Sequence, residues 1–421
     1  MLVFLLAGAL VFAAWYPTNA KAWKLAGSLE DSVEAARAAG LLLEPKPTSG
    51  SDGAWRHYRA AFQSLMAFEG DAEAAWERLY ANPTALGRQP TDLRRDLELA
   101  SPANADLRLA FATNSLGDTS RISERENTLT DYSALRSLGR LVSAKATLAA
   151  MDGDLLGTKE HLTQLAQMQA HLLQDSNLAA FLTWTELDSR SALVLLRTLE
   201  LQPHWAKDKD FRDSGKIPEK LLGEWVSGEI RQVMQHDFVS ADLLAESPQN
   251  LWQRTQAALA DRTATNRAVQ SLLIQYWTRF HRFNDTTQRV SESYSEFVAY
   301  HGRFLGELDH MGVSGSIARV VLAHYDGLPL TIAKVRTRRH LLAFACEIVA
   351  LHGESAQFPA SIPLTVDLWS ERPIDYVRTD TGGFILRSTI PQTHPGDDPA
   401  VEVAFPQNPT RTKEDKDDAN D

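Results

Sequence analysis

Histidines are the residues of this chain best suited to bind a metal or move a proton, and their spacing gives no local site. Twelve are scattered along the 421 residues. None forms H-x-x-x-H or H-E-x-x-H, the spacings that place two ligands on one helical face. His161 and His171 lie ten residues apart, which separates their rings by about 15 Å along a helix. They cannot share a metal, and we interpret His324 and His340 as surface or capping residues.

The acidic residues form no recognisable catalytic or metal-binding pattern either. Glu186 and Asp188 are close in sequence but are expected to point to different sides of a helix. Asp397 and Asp398 follow Pro395-Gly396, and two carboxylates fall short of the six to eight oxygens that calcium takes. We therefore predict an ordinary solvated turn there.

The remaining reactive groups are also predicted to be structural. The segment Val335–His340 (VRTRRH) is the one basic cluster, and we predict a solvated helix face paired with nearby carboxylates, with an anionic partner site as the alternative. Cys346, the single cysteine, lies on an apolar helix face beside Leu342 and Val349, which is typical of a buried thiol. No G-x-S-x-G elbow or glycine-rich phosphate loop is present. The sequence thus assigns no catalytic, cofactor-binding or metal-binding residue and predicts no cofactor.

Composition excludes one class of partner. The formal net charge is −11. A nucleic-acid-binding protein needs a basic surface to neutralise phosphates, so we predict no nucleic-acid partner. An apolar content of 44% is enough for a sizeable core.

The N-terminal residues Met1–Tyr16 contain no charged side chain. As a helix they span about 24 Å, short of the roughly 30 Å hydrocarbon core, and extension through Ala20 brings the length close to sufficient. We predict that residues 1–20 form a single transmembrane anchor in a bacterial membrane, with the body extracytoplasmic. A cleaved signal peptide is the alternative, because Ala20-Lys21-Ala22 has the small-x-small form of a cleavage site. Lys21 and Lys24 follow the run, and the positive-inside rule alone would leave the body in the cytoplasm.

Residues 28–329 are predicted to form a helical body. Leu135, Leu138 and Val142 illustrate the i, i+3/i+4, i+7 spacing of helices that bury one face. Between Asp92 and Leu201 these stripes form hairpins that resemble repeats, although no fixed period is present. We interpret Gln202–Pro218 as a polar connector.

The chain changes character after Gly353. A long helix precedes it, and the apolar period then changes from 3.6 to 2, which indicates strands. The predicted strands are Ile374–Arg378, Phe384–Ser388 and Val401–Phe405. We therefore predict a mainly α fold: an irregular helical-hairpin body, a small α+β module at residues 330–405, and a disordered acidic tail at residues 406–421.

Two regions carry a resemblance. Lys334–Phe405 contains a helix that ends in Leu351-His352-Gly353, followed by QFPASI, PIDY and FILRS, and it resembles the C-terminal module of the major pseudopilins of type II secretion. The apolar N-terminus, the pair of helices around Ala149–Asp154 and this module occur together in uncharacterised membrane-anchored bacterial envelope proteins, which the chain also resembles. In pseudopilins, however, the assembly helix directly precedes the globular part, whereas about three hundred residues intervene here.

Three functions remain open at the level of sequence. The first is a membrane-tethered, non-enzymatic scaffold that contacts another envelope protein. The second is an enzyme, such as a hydrolase, whose site is assembled from distant residues. The third, implied by the pseudopilin resemblance, is a component of a secretion apparatus. The absence of catalytic motifs favours the first.

Overall fold

The structure is a computed structural model. It describes residues 2–42, 53–81, 89–116, 128–174, 178–213, 220–238, 258–284 and 294–352, followed by 358, 361–362, 366–370, 372–379, 383–390 and 401–403. The predicted acidic tail and the Asp397-Asp398 turn lie outside the described residues.

The described part is mainly helical, as predicted, and forms two compact units. The first unit contains α1 (Leu2–Gly27), α2 (Leu29–Ala38), α11 (Lys220–Gln235), α12 (Arg262–Asn284), α13 (Tyr294–Leu308) and α14 (Gly312–Ala323). The second unit contains α3 (Ala54–Met66), α4 (Asp71–Ala81), α5 (Pro90–Leu99), α6 (Asn104–Phe111), α7 (Thr128–Met151), α8 (Leu155–Leu172), nearly all of α9 (Leu178–Leu201) and α10 (Lys209–Asp213). It also holds residues 333–352 of α15 (Leu328–His352) and the sheet.

Helix α12 is the centre of the first unit and packs against α1, α2, α11 and α14. Its buried side chains Tyr276, Trp277 and Phe280 meet edge to face or at a tilt, an arrangement that aromatic pairs favour. The helical spacing of Tyr276, Phe280 and Phe283 predicts a core face on this helix, and the burial of all three confirms it.

The second half of α1 belongs to the core of the first unit. Asn19 is fully buried: its amide nitrogen donates to the carbonyl of Leu259, at 3.1 Å, and its amide oxygen accepts from the backbone N–H of Asp261. Lys21 Nζ donates to the carbonyl of His310 at 2.6 Å. Ala22 packs in a small cluster with alanines of α12. These contacts attach the second half of α1 to α12 and to the residues around Leu259 and His310 in the first unit.

The prediction of a single N-terminal membrane anchor is wrong. Across the described residues, no helix combines the length and the apolar character needed to cross a bilayer. The predicted span was long enough only if it extended through Ala20, and that extension includes Asn19, which is bonded inside the first unit. The extracytoplasmic position inferred from the anchor loses its basis, and the membrane and transmembrane descriptions are corrected with it.

Helix α7 is the centre of the second unit and packs against α3, α4, α5 and α8. The predicted hairpin of α7 and α8 is present, and Gly153 takes a positive φ of 74° in its turn. Asp154 follows and its Oδ1 accepts from the backbone N–H of Gly157, which caps α8. A side chain with a Cβ would be strained at Gly153, so the glycine fixes this turn.

One local prediction needs correction. The Gln202–Pro218 segment contains a short 3₁₀ helix (Pro203–Lys207) and α10 in place of a plain connector, because Trp205 and Phe211 are buried and their rings pack 6.1 Å apart.

The predicted sheet is present at the C-terminus. Strands β1 (Asp375–Arg378), β2 (Phe384–Arg387) and β3 (Val401–Val403) form an antiparallel sheet in the order β1-β2-β3. The Phe384 ring is fully buried and packs on Phe358, with centroids 4.9 Å apart, and Phe358 in turn meets His352 of α15.

A buried carboxylate holds the loop before this sheet. Asp367 accepts hydrogen bonds from the backbone N–H groups of Trp369 and Thr389, and from the hydroxyls of Ser370, Ser388 and Thr389. Burial raises the pKa of Asp367, but these donors together outweigh burial and hold the pKa below its usual value.

Candidate functional site

Three arginines surround one carboxylate on adjacent faces of α7 and α9. Glu186 of α9 lies 2.6 Å from Arg190, one turn along the same helix, and 3.2 and 3.7 Å from Arg136 and Arg140 of α7. Arg136 Nε also donates to the hydroxyl of Thr183 at 3.3 Å. We call Arg136, Arg140, Arg190 and Glu186 the arginine cluster. It brings three positive charges to one negative charge in a chain that is acidic as a whole.

Tyr80 of α4 fixes one member of the arginine cluster. The guanidinium carbon of Arg140 lies 3.6 Å from the centre of the Tyr80 ring, which is cation–π geometry. Arg140 Nη1 also donates to the carbonyl oxygen of Tyr80 at 2.6 Å. The ring and the carbonyl group of Tyr80 therefore fix the position of the Arg140 guanidinium in the protein without a ligand.

Burial of the cluster is uneven. The side chains of Arg140 and Arg190 are only 18% and 13% exposed, whereas Arg136 is 40% exposed. Burial lowers the pKa of Arg140, and the nearby positive charge of Arg190 lowers it further, against the opposing effect of Glu186. The cluster is thus closed around Arg140 and Arg190 and opens to solvent beside Arg136.

The basic segment predicted from VRTRRH lies next to the same helix. Arg339 of α15 forms a two-pronged bond with Asp188, with distances of 2.8 and 3.0 Å, and Arg338 donates to the hydroxyl of Ser189. Asp188 and Glu186 therefore face different partners. The predicted pairing with a carboxylate is present, but the predicted solvated face is not: none of the residues 335–340 is exposed, and Asp188 is buried.

One side of α9 is exposed while most of the helix is buried. Leu182 and Leu193 are 41% and 44% exposed. They lie eleven residues apart, which is three helical turns or about 16 Å, so both fall on one stripe. Glu186 and Ser189 occupy the positions between them. We call Leu182, Glu186, Ser189 and Leu193 the α9 stripe; arginines of α7 bond to it at Glu186, and Arg338 of α15 bonds to it at Ser189.

The first unit contains a tyrosine–histidine–aspartate chain that could be mistaken for a catalytic triad. The hydroxyl of Tyr276 donates to His301 Nδ1 at 2.8 Å, because His301 Nε2 donates to the Asp326 carboxylate at 3.0 Å. Tyr276 is fully buried, and burial raises its pKa. A substrate cannot reach its oxygen, so this chain is suited to hold α12, α13 and the segment after α14 together.

The second unit contains a similar pair. The hydroxyl of Tyr58 donates to His171 Nδ1 at 2.9 Å, and His171 Nε2 donates to the carbonyl of Thr113 at 3.1 Å. Burial lowers the pKa of His171 to about 4. A neutral imidazole that already uses both nitrogens has no remaining group for proton transfer to a substrate.

A shallow cleft of about 410 Å³ lies between α4 and α5. Arg78 forms a two-pronged bond to the buried carboxylate of Asp96 across its floor. The charged residues at its walls are Asp71, Asp92 and Arg95. Three carboxylates and two guanidinium groups nearly balance one another, so the cleft offers no strong preference for an ion of either sign.

The other residues considered from sequence have structural surroundings. His161 bonds to Gln164 within its own helix. His324 is exposed, and His340 donates to the carbonyl of Val366 at 3.0 Å. Cys346 is buried, as expected for a structural thiol. No group of three metal-ligating side chains is assembled within the described residues.

The arginine cluster was not foreseen from the sequence. Its only local signals are the four-residue spacings of Arg136 with Arg140 and of Glu186 with Arg190, which place each pair on one helical face. That the two faces meet is decided by helix packing. Comparison with protein-family models, with curated proteins and with solved structures finds no match for this chain.

Proposed function

We propose that the protein is a non-enzymatic scaffold that binds another protein through the α9 stripe and the arginines around it. The observation that carries this proposal is the exposure of Leu182 and Leu193 on one line of a mostly buried helix, with guanidinium groups on both flanks. Single exposed leucines are ordinary on protein surfaces. Two aligned leucines between arginines have the composition of a small recognition surface.

The distribution of reactive side chains supports a binding role over catalysis. His171, His301 and Asp367 each use their polar atoms in hydrogen bonds to other groups of the chain. Asp188 does the same with Arg339. General acid–base catalysis needs such a group within reach of a substrate, and these groups are committed to holding the fold.

Charge complementarity indicates the chemistry of the partner. The arginine cluster has three guanidinium groups and one carboxylate, so an acidic segment is attracted and a basic one is repelled. The leucine spacing suits an amphipathic helix that carries apolar residues three turns apart. We therefore expect the partner to present an acidic amphipathic segment.

Site-specific photo-crosslinking of the full chain in cells tests this proposal. A photoreactive amino acid in place of Leu193 is expected to capture an acidic peptide segment, identified by mass spectrometry. The matched position is Leu156, which is more exposed and lies on α8 of the same unit. Little capture is expected there, because Leu156 lies on α8, whereas the arginine cluster is formed by α7 and α9.

Charge variants then separate specific from general capture. Arg136→Glu is expected to reduce capture at position 193 by about tenfold, since it reverses one of the charges that face the partner. The milder Arg136→Gln should reduce it less, which guards against a folding defect. Arg94→Glu is the control, because Arg94 is 47% exposed and also pairs with a carboxylate, Asp152. The proposal would be overturned if position 156 captured as much as position 193, or if Arg136→Glu left capture at position 193 unchanged.

A further inference from the structure

The arginine cluster has more positive charge than its own carboxylate can neutralise. Within bonding or ion-pair distance of Glu186 there are three guanidinium groups, which leaves two positive charges in excess. Two of these guanidinium groups are largely buried. Like charges held together away from water are unfavourable, and a bound anion would relieve that cost.

The cluster also has unused hydrogen-bond donors. Each guanidinium carries five N–H donors in a planar fork. Among the described residues, the Nε atoms of Arg140 and Arg190 are buried without an acceptor, as are those of Arg197 and Arg212 elsewhere in the second unit. Buried donors in folded proteins are nearly always satisfied by the chain, by ordered water or by a ligand, and in the arginine cluster two such donors lie beside uncompensated positive charge.

The geometry around Arg140 is suited to a fixed recognition element. The Tyr80 ring and carbonyl hold this guanidinium in place. A guanidinium that is fixed beforehand loses little entropy when it binds, and its fork matches the oxygens of a phosphate group. The more exposed Arg136 provides the side from which a charged group can enter.

We propose that the arginine cluster is a binding site for a doubly charged phosphate group, entering beside Arg136 and bonding to Arg136, Arg140 and Arg190. Two excess positive charges match the charge of a phosphate group near neutral pH, whereas a single carboxylate would leave one positive charge uncompensated. The source of the phosphate is either free in solution or a phosphorylated side chain of the protein partner. The second source rests on the proposed function, and the first does not.

Calorimetric titration of the purified full chain with inorganic phosphate tests the site directly. At about pH 8, where phosphate carries close to two charges, we expect saturable binding of one equivalent and a rise in melting temperature. Sodium chloride at the same ionic strength should produce neither. Absence of saturable binding would overturn the proposal.

Two substitutions with opposite expected signs localise the binding. Arg136→Gln removes one donor fork and is expected to weaken phosphate binding by about tenfold. Glu186→Gln removes the competing negative charge and is expected to tighten binding several-fold, a change that a merely structural role would not produce. Arg94→Gln, with similar exposure and an ion pair of its own, should leave binding unchanged. Equal effects of Arg136→Gln and Arg94→Gln would show that the attraction is not local, which also overturns the proposal.

A final comparison identifies the source of the phosphate group. O-phosphoserine that binds as tightly as inorganic phosphate, and competes with it, would indicate that a phosphorylated side chain is accepted. O-phosphoserine that fails to compete would support free phosphate as the ligand. Phosphate binding without capture at position 193 would contradict only the scaffold proposal, and capture without phosphate binding would contradict only this inference.

Discussion

The buried histidines of this protein act as hydrogen-bond bridges. His171 connects Tyr58 of α3 with the carbonyl of Thr113, and His301 connects Tyr276 of α12 with Asp326. In each case the tyrosine hydroxyl contacts Nδ1 and Nε2 contacts an oxygen on the other side, so the orientation of the ring is fixed by its partners. The same arrangement occurs once in each unit.

The pKa of His171 predicts a loss of stability in acid. Its folded value of about 4 lies below the ordinary 6.5, so between these values the unfolded chain binds a proton that the native ring does not. This contribution is complete above about pH 6.5 and is lost as the pH falls towards about 4, by about 3 kcal/mol. Urea unfolding as a function of pH measures it.

His171→Gln separates this contribution from other titrating groups. Glutamine can donate and accept hydrogen bonds but does not titrate, so the variant is expected to lose stability less steeply over the same pH range. The exposed His324, replaced in the same way, serves as the control. Identical slopes for wild type and His171→Gln would show that burial does not hold this ring neutral.

At the scale of single elements, α1 shows how an apolar segment can belong to a folded core. Its first residues are apolar, but the helix continues to Gly27 with Asn19 buried and Lys21 bonded to His310. The buried amide of Asn19 satisfies the backbone around Asp261 at the start of α12. The hydrogen bonds of Asn19 and Lys21 thus join α1 to neighbouring parts of the first unit.

Asn19→Leu distinguishes a packed α1 from a membrane-spanning one. The substitution raises the hydropathy of the segment, which would strengthen a span. Here we expect it to lower the free energy of unfolding by about 2 kcal/mol, because backbone groups bonded to Asn19 lose their partners in the interior. Thermal and denaturant unfolding of the purified chain measure the change.

Lys24→Leu is the matched control for that experiment. Lys24 is exposed, so the substitution raises hydropathy without removing a buried contact, and stability should change by less than about 0.5 kcal/mol. If Asn19→Leu left stability equally unaffected, the bonds of Asn19 would not contribute to the fold.

At the scale of the whole molecule, each unit is organised around one central helix. Helix α12 packs against α1, α2, α11, α13 and α14 in the first unit, and α7 packs against α3, α4, α5 and α8 in the second. Side chains of α12 and α7 are buried along most of their lengths, including Leu272, Leu273, Leu138 and Leu141. Opening of either helix would expose the centre of its unit.

Hydrogen exchange should therefore be slowest in α12 and α7. Their amides can exchange only when much of the surrounding unit opens, whereas peripheral helices can open locally. Mass spectrometry of exchanged peptides is expected to show the strongest protection in residues 264–280 and 134–150. Peptides from α2 and α5 provide the comparison within each unit. Equal protection of central and peripheral helices would contradict this organisation.

The sequence by itself determined the secondary structure and the fold class. Apolar spacing of 3.6 indicated the helical body and its hairpins between Asp92 and Leu201, and the change to a period of 2 after Gly353 located the sheet. Glycines at turns, such as Gly153, marked where helices end. These features are local, because they depend on the backbone preferences and apolar faces of neighbouring residues.

Tertiary structure alone decided what the polar residues do. Asn19 was included in the predicted membrane span, and only the folded chain shows that its amide bonds to the backbone of Asp261. Arg136 and Glu186 lie fifty residues apart and meet only because α7 and α9 bring their faces together. Hydrogen bonds and ion pairs act over a few ångströms, and helix packing rather than sequence spacing sets which distant groups come that close. The candidate site could therefore be found only in the folded chain.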